Sequence, residues 1–488
     1  MTIKKTVTLT ISDEVNCKFT GLDPKDARAL VRKFEVDIPG AKFQPSVRLG
    51  RWNGKASFFS QGGSTYINLL DEIIPFLNDK GYELDLKDTR DYSLTFETKP
   101  IDQTTFQHVK WPKKHRLEGQ PIVLREDQIK VVNDFLQNPQ SLSELATGFG
   151  KTIMTAALSY CMQEFGRTIV IVPNTSLVTQ TYDDYLNLGL DVGVYHGEKK
   201  QFNKRHTICT WQSLNVIMKE NKELLADMLQ NVVAIMIDEA HQAKASVLQS
   251  MLVGPFSKIP YRWGFTGTIP HDKHAQMILK TCIGDVVNKV TAAELQEQGK
   301  LAQCHIKMLQ IQDDIQFKAY QNELKYLTEN DERLTVLANQ IKEICKTGNT
   351  LVLVDRIMAG TLLQSKLKNP DGTEVPFVQG EIKNSKRQET YDLVSESNNL
   401  CMIATFGVAA VGINIPRLFN VVLFEPGKSF VKVIQSIGRG VRKAHDKDFV
   451  QIWDFSSNCK FSKRHALERR KFYTEAKYPF SQEKLTLK

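Results

Sequence analysis

From about residue 141 onward the chain repeats one unit: a short run of Val, Ile and Leu without polar alternation, then a helix-length amphipathic segment. The runs fall at 168–172, 206–210, 232–237 and 261–265, and resume at 350–354, 375–378, 400–404, 421–424 and 449–453. Runs without a polar face suit strands buried on both sides of a parallel sheet. Segments 151–165 and 430–443 have helical apolar spacing between such runs. This alternation predicts α/β domains with helices on both sheet faces. The stretch 270–309 is less regular and carries a turn at 296–299, which places a hinge near residue 300.

Residues 1–100 read differently. A strand is expected at 7–11 and a helix at 23–34. Turn signals follow at Pro39-Gly40, Gly50, Gly54 and Gly62-Gly63, then a second helix at 70–80. This is a small α+β pattern. A basic connector, Lys110 to Arg116 around Trp111, leads into the first α/β domain.

Composition excludes several classes. With 41% apolar and 24% charged residues the chain is neither collagen-like, mucin-like nor mostly disordered. No window approaches 18 apolar residues, so no membrane span is expected. No apolar segment follows Met-Thr-Ile-Lys-Lys, so no secretory leader is expected. The eight cysteines form no C-x-x-C and no zinc pattern, which fits free thiols in a reducing compartment. A net charge of +9 fits a polyanionic partner and many soluble proteins alike.

The strongest local signal is Leu145-Ala146-Thr147-Gly148-Phe149-Gly150-Lys151-Thr152, after a strand candidate and opening a helix. Backbone N–H groups can surround phosphates only where side chains stay clear, and a helix N-terminus adds favourable partial charge. Lys151 would reach the β- and γ-phosphates and Thr152 would hold Mg²⁺. A Gly-rich turn before a helix is the bland alternative. The second signal, Asp238-Glu239-Ala240-His241, ends a buried run. Asp238 is placed for Mg²⁺ and Glu239 for orienting and deprotonating the attacking water. The third is the segment from Gln435 to Arg442, in which Arg439 and Arg442 share a helix face. Two such guanidinia could stabilise charge developing at the γ-phosphate.

Together, in this order, the motifs resemble those of superfamily 2 helicases and translocases, over about 124–455. The resemblance implies two tandem RecA-like parallel-sheet domains that pinch one ATP and drive nucleic acid by opening and closing. It assigns Arg125 and Gln128 to adenine. Thr147, Gly148, Phe149, Gly150, Lys151, Thr152, His241, Gly412 and Gln435 belong to the ATP site. Catalysis falls to Lys151, Asp238, Glu239, Arg439 and Arg442. Thr175, Thr210, Trp211, Gln212, Ser213 and Thr405 would grip nucleic acid, and Thr266-Gly267-Thr268 would couple hydrolysis to movement. Asn414 stands where many relatives have Asp, and Leu145 replaces the usual first loop glycine.

The run Phe43 to Lys55 is similar to the N-terminal domain of UvsW-type phage helicases. That resemblance implies a small α+β N-terminal DNA-binding domain at 1–105, RecA-like domains at 106–300 and 301–456, and a basic C-terminal tail at 457–488. It also implies 3′→5′ branch migration, fork regression and R-loop unwinding, with ATP and Mg²⁺ as cofactors. Branched DNA would be the partner, with single-stranded-DNA-binding or recombination proteins as helpers. A monomer in the cytoplasm, the host's if phage-encoded, follows. Arg48, Trp52 and Lys55 would touch DNA at a junction, or Trp52 would simply fill a core. The tail is either a solvated basic helix or a duplex contact. Alternatives are an XPB-like or restriction-motor-like duplex translocase, an RNA helicase, or a clamp that binds nucleotide without turnover.

Overall fold

The structure, a computed structural model, describes residues 5–486 apart from 91–95, 114–116, 198, 243–244, 314, 381, 383, 413–414, 416, 428–437 and 439–443. The chain divides into two compact units. The first comprises the residues up to Leu145 together with Gly150–Lys289; the second comprises Ala146–Phe149 with Val290–Lys488.

The first unit is built on an eight-stranded sheet. Its order is Lys199–Lys200, Val192–His196, His206–Thr210, Arg167–Val172, Val232–Ile237, Tyr261–Thr266, Gln140–Leu145 and Asp285–Val290. The central ladders are parallel. Val232–Ile237 and Tyr261–Thr266 are buried at every residue; the first is apolar throughout, while the second also buries Arg262 and Thr266. Helices cover the sheet. Asn174 caps Thr175–Asn187 by accepting from Leu177 N, and Thr210 caps Trp211–Glu220 by accepting from Ser213 N.

The small N-terminal sheet runs Ser64–Tyr66, Asn16–Thr20, Lys5–Ile11, Tyr82–Asp88. Helices Pro24–Lys33 and Leu70–Asp79 pack with it; the first starts at an Asp23 cap followed by proline. This small sheet shares one apolar cluster with the larger one. Asn68 Nδ2 donates to Gln140 Oε1 (3.0 Å) and Lys280 O (3.1 Å). Gln140 Nε2 donates back to Glu14 O (2.6 Å).

The second unit carries a seven-stranded sheet in the order Phe377–Val378, Cys401–Thr405, Thr350–Val354, Asn420–Phe424, Phe449–Ser457, Gln303–Gln312, Phe480–Thr486. All registered ladders are parallel.

Two expectations are corrected. The segment 457–488 is no tail: helix Lys460–Glu475 packs on the sheet and Phe480–Thr486 is its edge strand, in register with Gln303–Gln312. The stretch 270–309 is regular, holding Lys273–Cys282, Asp285–Val290, Ala292–Glu297 and the start of Gln303–Gln312. That last strand alternates polar and apolar residues and so lacks the run that marks its neighbours. Segment 430–443 lies outside the described residues apart from Gly438. Among the described residues no helix is long and apolar enough to cross a membrane.

Candidate nucleotide site

Three adjacent strands of the first sheet, Val232–Ile237, Tyr261–Thr266 and Gln140–Leu145, end on one edge. In parallel sheets the carboxyl ends of the strands are where ligands bind. Each strand here delivers one motif: Asp238-Glu239, Thr266-Gly267-Thr268, and the glycine loop.

The loop leaves Leu145 and turns through Gly148 (φ 91°) and Gly150 (φ 94°) before helix Lys151–Met162. Gly150 is needed for its backbone, and a side chain there would also displace the Gln128 amide. Its φ is left-handed, and a Cβ there would lie 2.5 Å from Gln128 Nε2. Phe149 is fully buried and anchors the loop rather than facing a ligand.

Lys151 Nζ lies 3.1 Å from Glu239 Oε1 and 3.4 Å from Leu145 O. Both side chains of the pair are about nine-tenths buried. Glu239 Oε2 accepts from Gly267 N (3.3 Å) and sits 3.6 Å from His241 Nδ1. Thr266 Oγ1 donates to Thr268 O (2.9 Å), so His241 Nδ1, 2.7 Å away, is the donor to that hydroxyl oxygen. Burial holds the His241 pKa below the ordinary histidine value, outweighing the Glu239 charge that raises it. Glu239 keeps a positive φ of 48°, a strained backbone for a non-glycine residue. Asp238 N is fixed by Ile171 O, and Asp238 Oδ1 accepts from Glu239 N.

One carboxylate, Asp238, and one hydroxyl, Thr152, are hard oxygen donors and too few to enclose a cation. Mg²⁺ is commonly bound this way, its shell completed by phosphate oxygens and water. Among the described residues no cluster of three His, Cys, Asp or Glu forms a self-sufficient metal cage.

Beside the loop lies a cleft of about 390 Å³, lined by Trp111, Arg125, Gln128, Gly150, Thr152 and Asp184 among others. Gln128 Oε1 accepts from Arg125 N, which fixes its amide. Trp111 and Asp184 were not singled out for this site by sequence reasoning. Trp111 arrives because the connector folds back on itself, Trp111 N donating to Gln120 O beside a Lys110–Pro121 bridge. Burial, then the Asp183 charge, raises the Asp184 pKa to about 6.

The expected nucleic-acid residues are differently placed. Thr175 and Gln212 are exposed, and Gln212 Nε2 donates to Pro173 O. Thr210 is buried and Ser213 half-buried, paired with each other at the helix start. Trp211 packs against the core. Thr405 Oγ1 accepts from Val408 N, opening helix Phe406–Gly412, which ends at Gly412. Arg48 and Lys55 are exposed. Trp52 is half-buried with Nε1 donating to Lys55 O, while Phe43 (65%) and Leu49 (64%) stand out to solvent. Gln435, Arg439, Arg442 and Asn414 lie outside the described residues.

Comparison with known proteins gives the same two halves. The family model described as "Type III restriction enzyme, res subunit" matches residues 121–271, and "Helicase conserved C-terminal domain" matches 331–444. The ATP-dependent DNA helicase uvsW of Enterobacteria phage T4 is 25% identical over 459 residues, 90% of this chain and 88% of that protein. The chain is a superfamily 2 helicase. As an ATP-dependent enzyme of this superfamily it shares its fold widely. The type ISP restriction-modification enzyme LlaBIII bound to DNA aligns with TM-score 0.56 at 15% identity, over 86% of this chain and 34% of that one. The yeast (S. cerevisiae) Dbp5 bound to RNA and ADP BeF3 aligns with TM-score 0.54 at 17% identity, over 74% and 90%.

Proposed function

We propose that this superfamily 2 helicase couples ATP hydrolysis to the remodelling of branched DNA, by branch migration, fork regression and R-loop unwinding with 3′→5′ movement. The near full-length similarity to a phage ATP-dependent DNA helicase supports DNA as the substrate. The carrying observation is the Lys151–Glu239–Gly267 cluster, which ties the glycine loop to two neighbouring strand ends.

In this reading Lys151 releases Glu239 when a γ-phosphate offers a stronger anion. Glu239, still aimed by Gly267 N and His241, then accepts the proton of the attacking water. Asp238 and Thr152 would hold Mg²⁺, which supplies neutralisation of phosphate charge. Gln128, Arg125 and the cleft they line receive the base. Because Gly267 N reads the Glu239 carboxylate directly, loss of the γ-phosphate is felt at the 266–268 turn. Arg439 and Arg442 are the proposed transition-state cations, on sequence grounds. Thr175, Gln212 and Thr405 are the proposed phosphate grips, and Arg48, Arg51 and Lys55 around Phe43 and Leu49 the proposed junction contact.

The test is ATPase titration with single-stranded, duplex, forked and four-way DNA, with RNA as a parallel arm. Forked or four-way DNA should stimulate most. Equal or greater stimulation by RNA would overturn DNA as substrate, and turnover without strand displacement would leave a duplex translocase.

A further inference from the structure

Helix Lys460–Glu475 is held rigidly on its inner side. Arg469 donates to both Asp454 oxygens (2.8 and 2.7 Å) and to Gly427 O (2.6 Å), and Tyr473 Oη donates to Asp454 Oδ2 (2.8 Å). At its start, Phe461 N and Ser462 N donate to the buried Glu323 carboxylate (2.9 and 2.7 Å). Part of the basic sequence of this segment is therefore structural: Arg469 is fully buried and paired.

The remaining cations are not distributed round the helix. Lys460, Lys463, Arg464, Arg470 and Lys471 are exposed together with Leu467 and Thr474. At 100° per residue they fall within about 120° of arc, opposite Ser462, Ala466, Arg469 and Tyr473. From Lys460 to Lys471 the stripe runs about 16 Å along the axis. Glu475, exposed near the C-terminal end, and Glu468 border it on one side, and Glu468 is engaged by Lys471 at 3.2 Å.

We propose that this stripe is a docking surface for the phosphate backbone of duplex DNA, separate from the strand grips of the motor. The proposal rests on DNA being the substrate. Charge complementarity argues for a polyanion, and length and rigidity argue for a straight backbone, since 16 Å spans roughly five base-pair steps. The absence of an aromatic side chain from the stripe argues against single strands, whose bases stack on aromatic platforms. Phe461 and Phe472 are half-buried and Tyr473 is buried. Contacts of this kind carry no sequence preference.

The experiment measures binding of the full chain to a blunt 40-base-pair duplex, without nucleotide, between 50 and 200 mM KCl. Lys463→Gln, Arg464→Gln, Arg470→Gln and Lys471→Gln are combined in one variant. Each phosphate contact adds about 0.9 to the slope of log K against log salt, so removing four cations should lower the slope by about three to four. ATPase driven by oligo(dT) should stay within about twofold of wild type. Glu468→Lys, which needs no loss of structure, should steepen the duplex slope by about one. Unchanged slopes in both variants would overturn the proposal, and so would an equal loss of oligo(dT)-driven turnover. An enzyme idle on every DNA would instead remove the reading of the motor, because duplex binding is scored without turnover.

Discussion

Lys151 Nζ and Glu239 Oε1 stand 3.1 Å apart, both almost excluded from water, on the loop and the strand end that frame Gly267. Under the proposed mechanism, this pair would hold the Glu239 carboxylate against Lys151 until a nucleotide separated them.

Lys151→Ala should therefore do two things. ATP hydrolysis should disappear, and the nucleotide-free protein should lose stability, because Glu239 is left as a poorly paired buried charge. Breaking such a pair costs about 3 kcal/mol. The double variant Lys151→Ala/Glu239→Gln should recover most of that loss in urea melts. No recovery would mean that the pair is not coupled.

Glu239→Gln should keep ATP binding and lower kcat by at least about 100-fold. Because the buried Lys151 ammonium then lacks its carboxylate, the nucleotide-free protein should also lose stability, by an amount similar to that in Lys151→Ala. Normal kcat would remove Glu239 from the base role.

His206 is buried without a hydrogen-bond partner at Nε2, and burial lowers its pKa to about 4. It is neutral when folded and titrates near 6.5 when unfolded. Its contribution to stability is complete above 6.5 and is lost as pH falls from 6.5 towards 4. Between pH 7.5 and 5 the wild type should lose about 2 kcal/mol more than His206→Gln. Parallel curves for the two proteins would refute this.

Asp184 has the opposite sign. Burial raises its pKa to about 6, so its ionised form destabilises the fold as pH rises through 4 to 6 and above. Asp184→Asn should gain about 1–2 kcal/mol at pH 8, allowing for water at the cleft mouth, and little at pH 4. A gain equal at both pH values would point to some cause other than charge.

Arg262 is fully buried, and its guanidinium donates to Cys282 O, Phe256 O and Leu252 O (2.9, 2.6 and 2.8 Å). Arg262→Met would remove a donor from three buried carbonyls, of which Phe256 O keeps only a long bond from Ile259 N (3.3 Å), at a cost of about 3 kcal/mol. Limited proteolysis should then cut first within residues 245–285. Wild-type resistance there would show that water replaces the guanidinium.

Features that depend on near neighbours in sequence were readable beforehand. The glycine loop and the Asp238-Glu239 strand end announce themselves by local pattern, and the structure brings their side chains together. The strand Gln303–Gln312 escaped because one of its faces is polar. The strand Phe480–Thr486 escaped because its sequence, Phe-Ser-Gln-Glu-Lys-Leu-Thr, is exposed along an edge and reads as coil. Trp111 escaped because its place beside Gln128 depends on a fold-back that no periodicity encodes. Trp52 drew attention as the large aromatic of its run, yet its indole N–H is spent on Lys55 O, and the outward apolar groups are Phe43 and Leu49.

The strand Gln303–Gln312 is flanked on one side by Phe449–Ser457 and on the other by Phe480–Thr486, both parallel to it. It is also the first strand of the second unit's sheet in chain order, following the helix Ala292–Glu297 of the same unit. A load along Gln303–Gln312 would shear both flanking ladders at once rather than unzip bonds singly, so the segment 480–486 reinforces that strand along its length.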